Sequence, residues 1–168
     1  MSTISIRQAT PKDTGVIARF NALMAEETEQ RSLNQETLRK GVEGVLRDSS
    51  KGTYYVADID GRIVGQLMIT YEWSDWRNAN FWWIQSVYVE KEYRGKRVFT
   101  SLFQHILELA KNRMDVCGIR LYVENTNTRA QKVYEQLGMH RSHYEMFEME
   151  LTGKPEVGDQ KSEKSPEF

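Results

Sequence analysis

The stretch that most restricts the fold runs from Phe81 to Ala110. Phe81-Trp82-Trp83-Ile84-Gln85-Ser86-Val87-Tyr88-Val89 is apolar or aromatic at both parities, which predicts a strand buried on both faces rather than one at a sheet edge. The strand stops at a charged turn, Glu90-Lys91-Glu92-Tyr93-Arg94-Gly95-Lys96-Arg97. Val98, Phe99, Leu102, Phe103, Ile106, Leu107 and Ala110 then recur with the spacing of a helix that has a wide apolar stripe. A strand, a basic turn and a helix in succession aim backbone N–H groups and the positive end of a helix dipole at one point. With Arg94, Lys96 and Arg97 around it, that point suits a phosphate or pyrophosphate. A basic turn that binds nothing is the alternative for these residues taken alone.

A second strand, Ile119-Arg120-Leu121-Tyr122-Val123, leads into Asn127-Thr128-Arg129-Ala130-Gln131-Lys132-Val133-Tyr134 and Leu137-Gly138. Asn127, Ala130 and Tyr134 span nearly two helical turns, so they project from one side of a helix. With these segments the sequence resembles the Gcn5-related N-acetyltransferases (GNAT), which move an acyl group from coenzyme A to an amine. Arg94-Gly95-Lys96 matches the start of that family's pyrophosphate loop, and Asn127, Ala130, Tyr134 and Leu137-Gly138 match its second motif. The likeness extends over about residues 4–150, with a layout similar to the diamine N-acetyltransferases.

The resemblance implies an α/β (α+β) fold with a mixed, mostly antiparallel central sheet flanked by helices, and acetyl-CoA as acetyl donor. It implies that the backbone of Val87, Tyr88 and Val89 pairs with the pantetheine arm. Arg94, Gly95, Lys96, Arg97, Val98 and Phe99 would then surround the pyrophosphate, Asn127 and Ala130 would flank the arm, and Tyr134 would be the general acid. A core tyrosine is the alternative for Tyr134. Two departures stand out. The family pattern has small residues where this chain has Arg97 and Phe99, and glycine there usually lets backbone and phosphate approach closely. The glutamate proposed to help deprotonate the amine in diamine acetyltransferases is here Gln85, which cannot act as a base.

Transfer from a thioester needs a neutral amine, a proton for the departing thiolate and two substrates held in attack geometry. Glu26, Glu27 and Glu29 crowd together before a second helix that opens at Asn34. They are either a solvated face or a negative lip that attracts a cationic amine. Glu72-Trp73-Ser74-Asp75-Trp76-Arg77-Asn78 reads as a polar loop whose tryptophans either plug the core or wall a pocket; with Glu72 and Asp75 beside them they would suit an alkyl ammonium. Glu26, Glu27, Glu72, Trp73, Asp75, Trp76 and Gln85 are therefore the candidate acceptor residues.

The remaining elements follow in order. Ile4 to Arg7 alternates as a first strand, Thr10-Pro11-Lys12-Asp13 starts a helix that runs to about Met24, and Asp60-Gly61 joins strands Thr53 to Asp58 and Ile63 to Tyr71 as a hairpin. His143 to Leu151 alternates as a closing strand. Gly153 onward is almost wholly polar, predicting one domain over 1–152 and a disordered tail over 153–168. A net charge of −1 gives no global field for nucleic acid or lipid, and no stretch approaches a membrane span. A single cysteine, Cys117, suits a reducing cytoplasm and excludes an intrachain disulfide. His105, His140 and His143 share no metal spacing, so no metal is expected. The reading is a cytoplasmic N-acetyltransferase acting on a small-molecule primary amine, without nucleic-acid or membrane partners and with a homodimer as its assembly. A non-catalytic acyl-CoA-binding or interaction module on the same scaffold is the alternative.

Overall fold

A computed structural model describes residues 3–149 and Leu151, and the elements run β1 (Ile4–Gln8), α1 (Thr14–Glu29), α2 (Gln35–Arg47), β2 (Thr53–Ile59), β3 (Arg62–Ser74), β4 (Ala79–Val89), α3 (Val98–Lys111), β5 (Val116–Leu121) and α4 (Thr128–Gln136). The sheet order is β1-β2-β3-β4-β5, antiparallel through β4 and parallel between β4 and β5. This is the mixed, mostly antiparallel α/β arrangement expected.

Strand alternation sorts the sheet's two faces. On one, Leu67 and Ile69 of β3 and Trp82 and Ile84 of β4 pack with Leu102, Phe103 and Ile106 of α3. On the other, Tyr54 and Val56 of β2 pack with Ile17 of α1 and Val42 of α2. Each such fully buried aliphatic side chain stabilises the fold by about 1.5–3 kcal/mol relative to exposure. Local signals set the ends of the elements. Asn34 caps α2, its side chain accepting from the Thr37 N–H at 2.9 Å. Asp60 and Gly61, at φ 53° and 82°, form the two-residue turn that matches the twist of the β2–β3 hairpin.

One irregularity positions everything that follows. Between Gln66 and Met68 the β3–β4 register slips, and Ser86 takes a φ of 50°. That bulge inserts one residue into β4 and reverses its parity. Before it Trp82 and Ile84 face α3; after it Val87 and Val89 do. The bulge has its own bracket: Gln66, fully buried, donates from Nε2 to the Ser86 carbonyl at 3.2 Å and to Asn21 Oδ1 at 2.7 Å, and Asn21 Nδ2 donates to the Tyr54 hydroxyl at 3.0 Å.

Several expectations are corrected. No strand forms over His143–Met149; Tyr144, Phe147 and Met149 are exposed there. The apolar parity changes between Met146 and Phe147, so no single face can be buried. Residues 72–74 continue β3 instead of opening a loop, because Glu72, Trp73 and Ser74 pair with Phe81, Asn80 and Ala79. Helix α1 runs on to Glu29, so the acidic cluster rides its last turns. Strand β4 is half open: α1 covers it at Tyr88, whose ring centroid is 5.0 Å from that of Phe20, while Phe81, Trp83 and Gln85 on that face stay half-buried. The expected tail, 153–168, lies outside the described residues. Among the described residues no helix is long and apolar enough to cross a membrane.

Candidate active site

Pairing of β4 with β5 runs from Asn80↔Val116 to Ile84↔Leu121 and then ends. Beyond it β4 continues through the bulge to Val89, and its β5-facing edge has no strand beside it among the described residues. A cleft of about 490 Å³ opens along that edge, between Val87, Tyr88 and Val89 on one side and Asn127, Ala130 and Tyr134 on the other. Arg94, Gly95, Arg97 and the first turn of α3 (Val98, Phe99, Thr100) close one end of it. The structure thus brings the predicted coenzyme residues and Tyr134 to one cleft, with the exception of Lys96, whose ammonium lies over the Tyr93 ring at 5.2 Å.

The closed end is built for an anion. Helix α3 makes its first backbone bond from the Ser101 N–H to the Arg97 carbonyl at 2.9 Å, which leaves the N–H groups of Val98, Phe99 and Thr100 without intrahelical acceptors. Gly95 and Arg97 both hold left-handed backbone, at φ 77° and 64°. The conformation that glycine favours is therefore retained at position 97 although the residue is arginine. Gly65 lets α3 start close to the sheet, since a Cβ there would lie 2.9 Å from Val98 Cγ1. These orphan donors and cations fit a diphosphate, and the open β4 edge fits an amide-bearing arm laid beside it.

Arg94 is held in place by two elements. Its Nε donates to the Val89 carbonyl at 2.9 Å and its Nη2 to Glu27 Oε2 at 2.7 Å. Glu27 also accepts from the Tyr88 hydroxyl at 3.1 Å and lies 3.5 Å from Lys91 Nζ. Partial burial works to raise the Glu27 pKa, but the bonds from Arg94 and Tyr88 and the charges of Arg94 and Lys91 outweigh it and hold the carboxyl below its usual range. Glu27 lines this cleft, whereas Glu26 faces a groove between α1 and α2. The expected acidic lip is thus divided between two surfaces.

Tyr134 meets the Phe99 ring edge-on, with centroids 5.8 Å apart and planes at 71°. Burial there raises its phenol pKa above the ordinary value. Asn127 caps α4, its Oδ1 accepting from the Ala130 N–H at 3.1 Å, so its Nδ2 is the side-chain group left for a ligand. Gln131, which sequence patterns do not single out, donates to the carbonyls of Glu124 and Asn125 at 3.0 Å each and steadies the approach to α4.

Where the two strands part, the face away from α3 carries a second cluster. Gln85 Nε2 donates to Thr70 Oγ1 at 2.6 Å. Glu72 accepts from Trp83 Nε1 and from Arg120 Nη1, the latter at 2.7 Å. Arg120 lies 3.6 Å above the Phe81 ring, and Trp83 packs on Tyr122 at 4.5 Å. The structure brings Glu72 and Gln85 to this face but not Trp73, Asp75 or Trp76. Alternation turns Trp73 to the opposite face, where it is 58% exposed. Asp75 and Trp76 sit on the exposed turn before β4; Asp75 Oδ1 accepts from the Trp76 N–H at 2.9 Å, and Trp76 is 88% exposed. Arg120 and Tyr122 were detectable only by combining strand parity with the β4–β5 register, which no local pattern contains.

Comparison with known proteins matches this architecture. The sequence model of the acetyltransferase (GNAT) family fits residues 18–139. A thialysine N-ε-acetyltransferase of Bos taurus is 26% identical over 146 residues, covering 82% of this chain and 85% of the bovine protein. The crystal structure of a possible acetyltransferase from Clostridium difficile 630 superposes with a TM-score of 0.83 at 47% identity, covering 88% of this chain and 97% of that one. A predicted acetyltransferase of Clostridium acetobutylicum, solved with acetyl-CoA, shares the fold at a TM-score of 0.71 and 18% identity, covering 88% of this chain and 96% of that one. The chain belongs to the GNAT acetyltransferase family and is an acyltransferase.

Proposed function

We propose that the protein is an N-acetyltransferase that moves the acetyl group of acetyl-CoA onto a primary amine of a small molecule, by direct attack within a ternary complex. The observation that carries this reading is the position of Tyr134, in one cleft with the basic turn and the open edge of β4. Acetyl-CoA supplies an activated acetyl group and departs as a thiol. The N–H groups of Val98, Phe99 and Thr100, with Arg94 and Arg97, hold its diphosphate. Val87 and Val89 align the arm along β4, Asn127 and Ala130 bound it on the other side, and Tyr134 donates the proton that the departing sulfur takes up. The amine approaches from the face of Gln85, Thr70 and Glu72. Because Glu72 is held by Arg120 and Trp83, the amine's proton leaves to solvent across that half-open face, and a proton from solvent restores the Tyr134 phenol. The bovine relative's name, which specifies the N-ε position of thialysine, supports a small-molecule amine.

The decisive experiment is Tyr134→Phe, which keeps the ring against Phe99 and removes the proton. Turnover should fall by roughly 10²–10⁴, with the acetyl-CoA dissociation constant within a few-fold and an unchanged Tm. Retained turnover would remove Tyr134 from the chemistry. A second reading, coenzyme binding without turnover, is favoured by the Phe99 ring standing in the cleft. A screen of amines for thiol release from acetyl-CoA separates the two. The proposal further has the protein act in the cytoplasm, as one domain over 1–152, and as a homodimer. The exposed Tyr144, Phe147 and Met149 support the last point, and sedimentation velocity checks it.

A further inference from the structure

Among the described residues that line the cleft, one carboxylate, that of Glu27, stands among the cations. Glu27 reaches in from the last turn of α1 and occupies Arg94 Nη2 at 2.7 Å, with the Tyr88 hydroxyl and Lys91 closing around it. Arg94 is held on its other side by the Val89 carbonyl through Nε, so while Glu27 stays in place a phosphate can reach it only through Nη1 and the second Nη2 hydrogen. A diphosphate entering at Gly95 and the first turn of α3 meets an arginine already neutralised. It also brings negative charge against a carboxylate that lines the same cleft.

We propose that Glu27 is an internal competitor for the coenzyme: its carboxylate competes with the diphosphate for Arg94 and gives way as the diphosphate binds, and it thereby sets coenzyme affinity and couples filling of the cleft to the end of α1. This rests on the coenzyme reading given above. Glu27 weakens binding in two ways. It holds Arg94 in a bond for which the diphosphate competes, and it repels the anion in the bound state. Displacement of Glu27 also frees the last turn of α1 from β4, and that turn leads into residues 30–34, the link to α2. Coenzyme binding should therefore loosen the α1–α2 connection before the acceptor arrives.

The test is titration calorimetry of the full chain with coenzyme A, comparing wild type, Glu27→Gln, Arg94→Gln and the double variant, with Tm measured for each. Glu27→Gln should tighten binding by roughly two- to fivefold, the range for a partly exposed charge pair, and steepen its salt dependence. The gain should vanish in the Arg94→Gln background. Unchanged or weaker binding by Glu27→Gln at wild-type Tm would overturn the proposal and make Glu27 a clamp that shapes the turn. Should Glu27→Gln lower the Tm, Glu27→Ala with hydrogen exchange at residues 24–34 decides: faster exchange in wild type on adding coenzyme supports displacement, and unchanged exchange refutes it. If wild type binds no coenzyme A, the functional reading fails as well, an outcome distinct from binding that ignores Glu27.

Discussion

At the level of the residue, Arg97 stands where the family pattern has glycine and yet holds the left-handed backbone that glycine favours. A side chain in left-handed backbone costs about 1–2 kcal/mol, and Arg97 sits there at φ 64° as the residue before α3. Arg97→Gly removes that strain but adds the unfolded-state freedom of glycine, worth about 0.5–1 kcal/mol against it. The expected outcome is a small stabilisation, about 0–1 kcal/mol, read as an unchanged or slightly raised midpoint in urea. Coenzyme binding should meanwhile lose part of its salt dependence, because one cation leaves the cleft. A destabilised variant would mean that the arginine makes bonds which outweigh its backbone strain. Phe99, at the other departure, contributes a ring to the wall of Tyr134.

At the scale of the element, the bulge in β4 separates scaffold from site. Without it, Val87 and Val89 would turn away from α3 and the strand would present the wrong edge. Gln66→Leu deletes the donor to the Ser86 carbonyl and to Asn21. It also removes a buried oxygen, Gln66 Oε1, that has no partner among the described residues. Two acceptors lose their donor and one unsatisfied acceptor disappears, so the net loss should be about 1–3 kcal/mol, measured by urea denaturation. Coenzyme affinity should fall beyond what that loss explains, because the parity of Val87–Val89 depends on the bulge. This division also explains what the sequence made legible. The run from β4 through the basic turn to α3 is contiguous, so local periodicity was sufficient to identify it. The acid role proposed for Tyr134 rests on resemblance, since spacing shows a shared face and not what lies on it. The Glu27–Arg94 pair and the Arg120–Glu72 cluster join residues 67 and 48 positions apart, beyond any local pattern. The closing strand failed for the opposite reason: alternation within His143–Leu151 was real but changed parity midway, and a strand needs one consistent face.

At the scale of the whole molecule, charge pairs fasten the ends of the sheet to the helices that flank it. Glu90, buried at the end of β4, accepts from Arg19 of α1 at 2.9 Å and from Arg62 of β3 at 2.6 Å. At the opposite edge Arg7 of β1 grips Asp13 through both carboxylate oxygens, at 2.8 and 2.9 Å, and Asp13 accepts from the Thr10 N–H at 2.7 Å. The bonds from Arg7 hold the Asp13 pKa below its ordinary value against the effect of burial, with Thr10 and the Arg7 charge adding to them. A carboxyl whose pKa is depressed by folding binds fewer protons folded than unfolded. Its contribution is therefore complete above the unfolded pKa of about 3.9 and is lost as pH falls through the lower folded value. Wild type should lose this contribution as pH falls below about 4. Asp13→Asn should be less stable than wild type at pH 7, because Arg7 keeps only a neutral partner, and should lose less on acidification. The two urea midpoints should converge as pH falls below the folded pKa. Parallel curves from pH 7 down to acid unfolding would show that the Arg7–Asp13 fork adds nothing that depends on its charge and that the β1–α1 junction is held by packing alone.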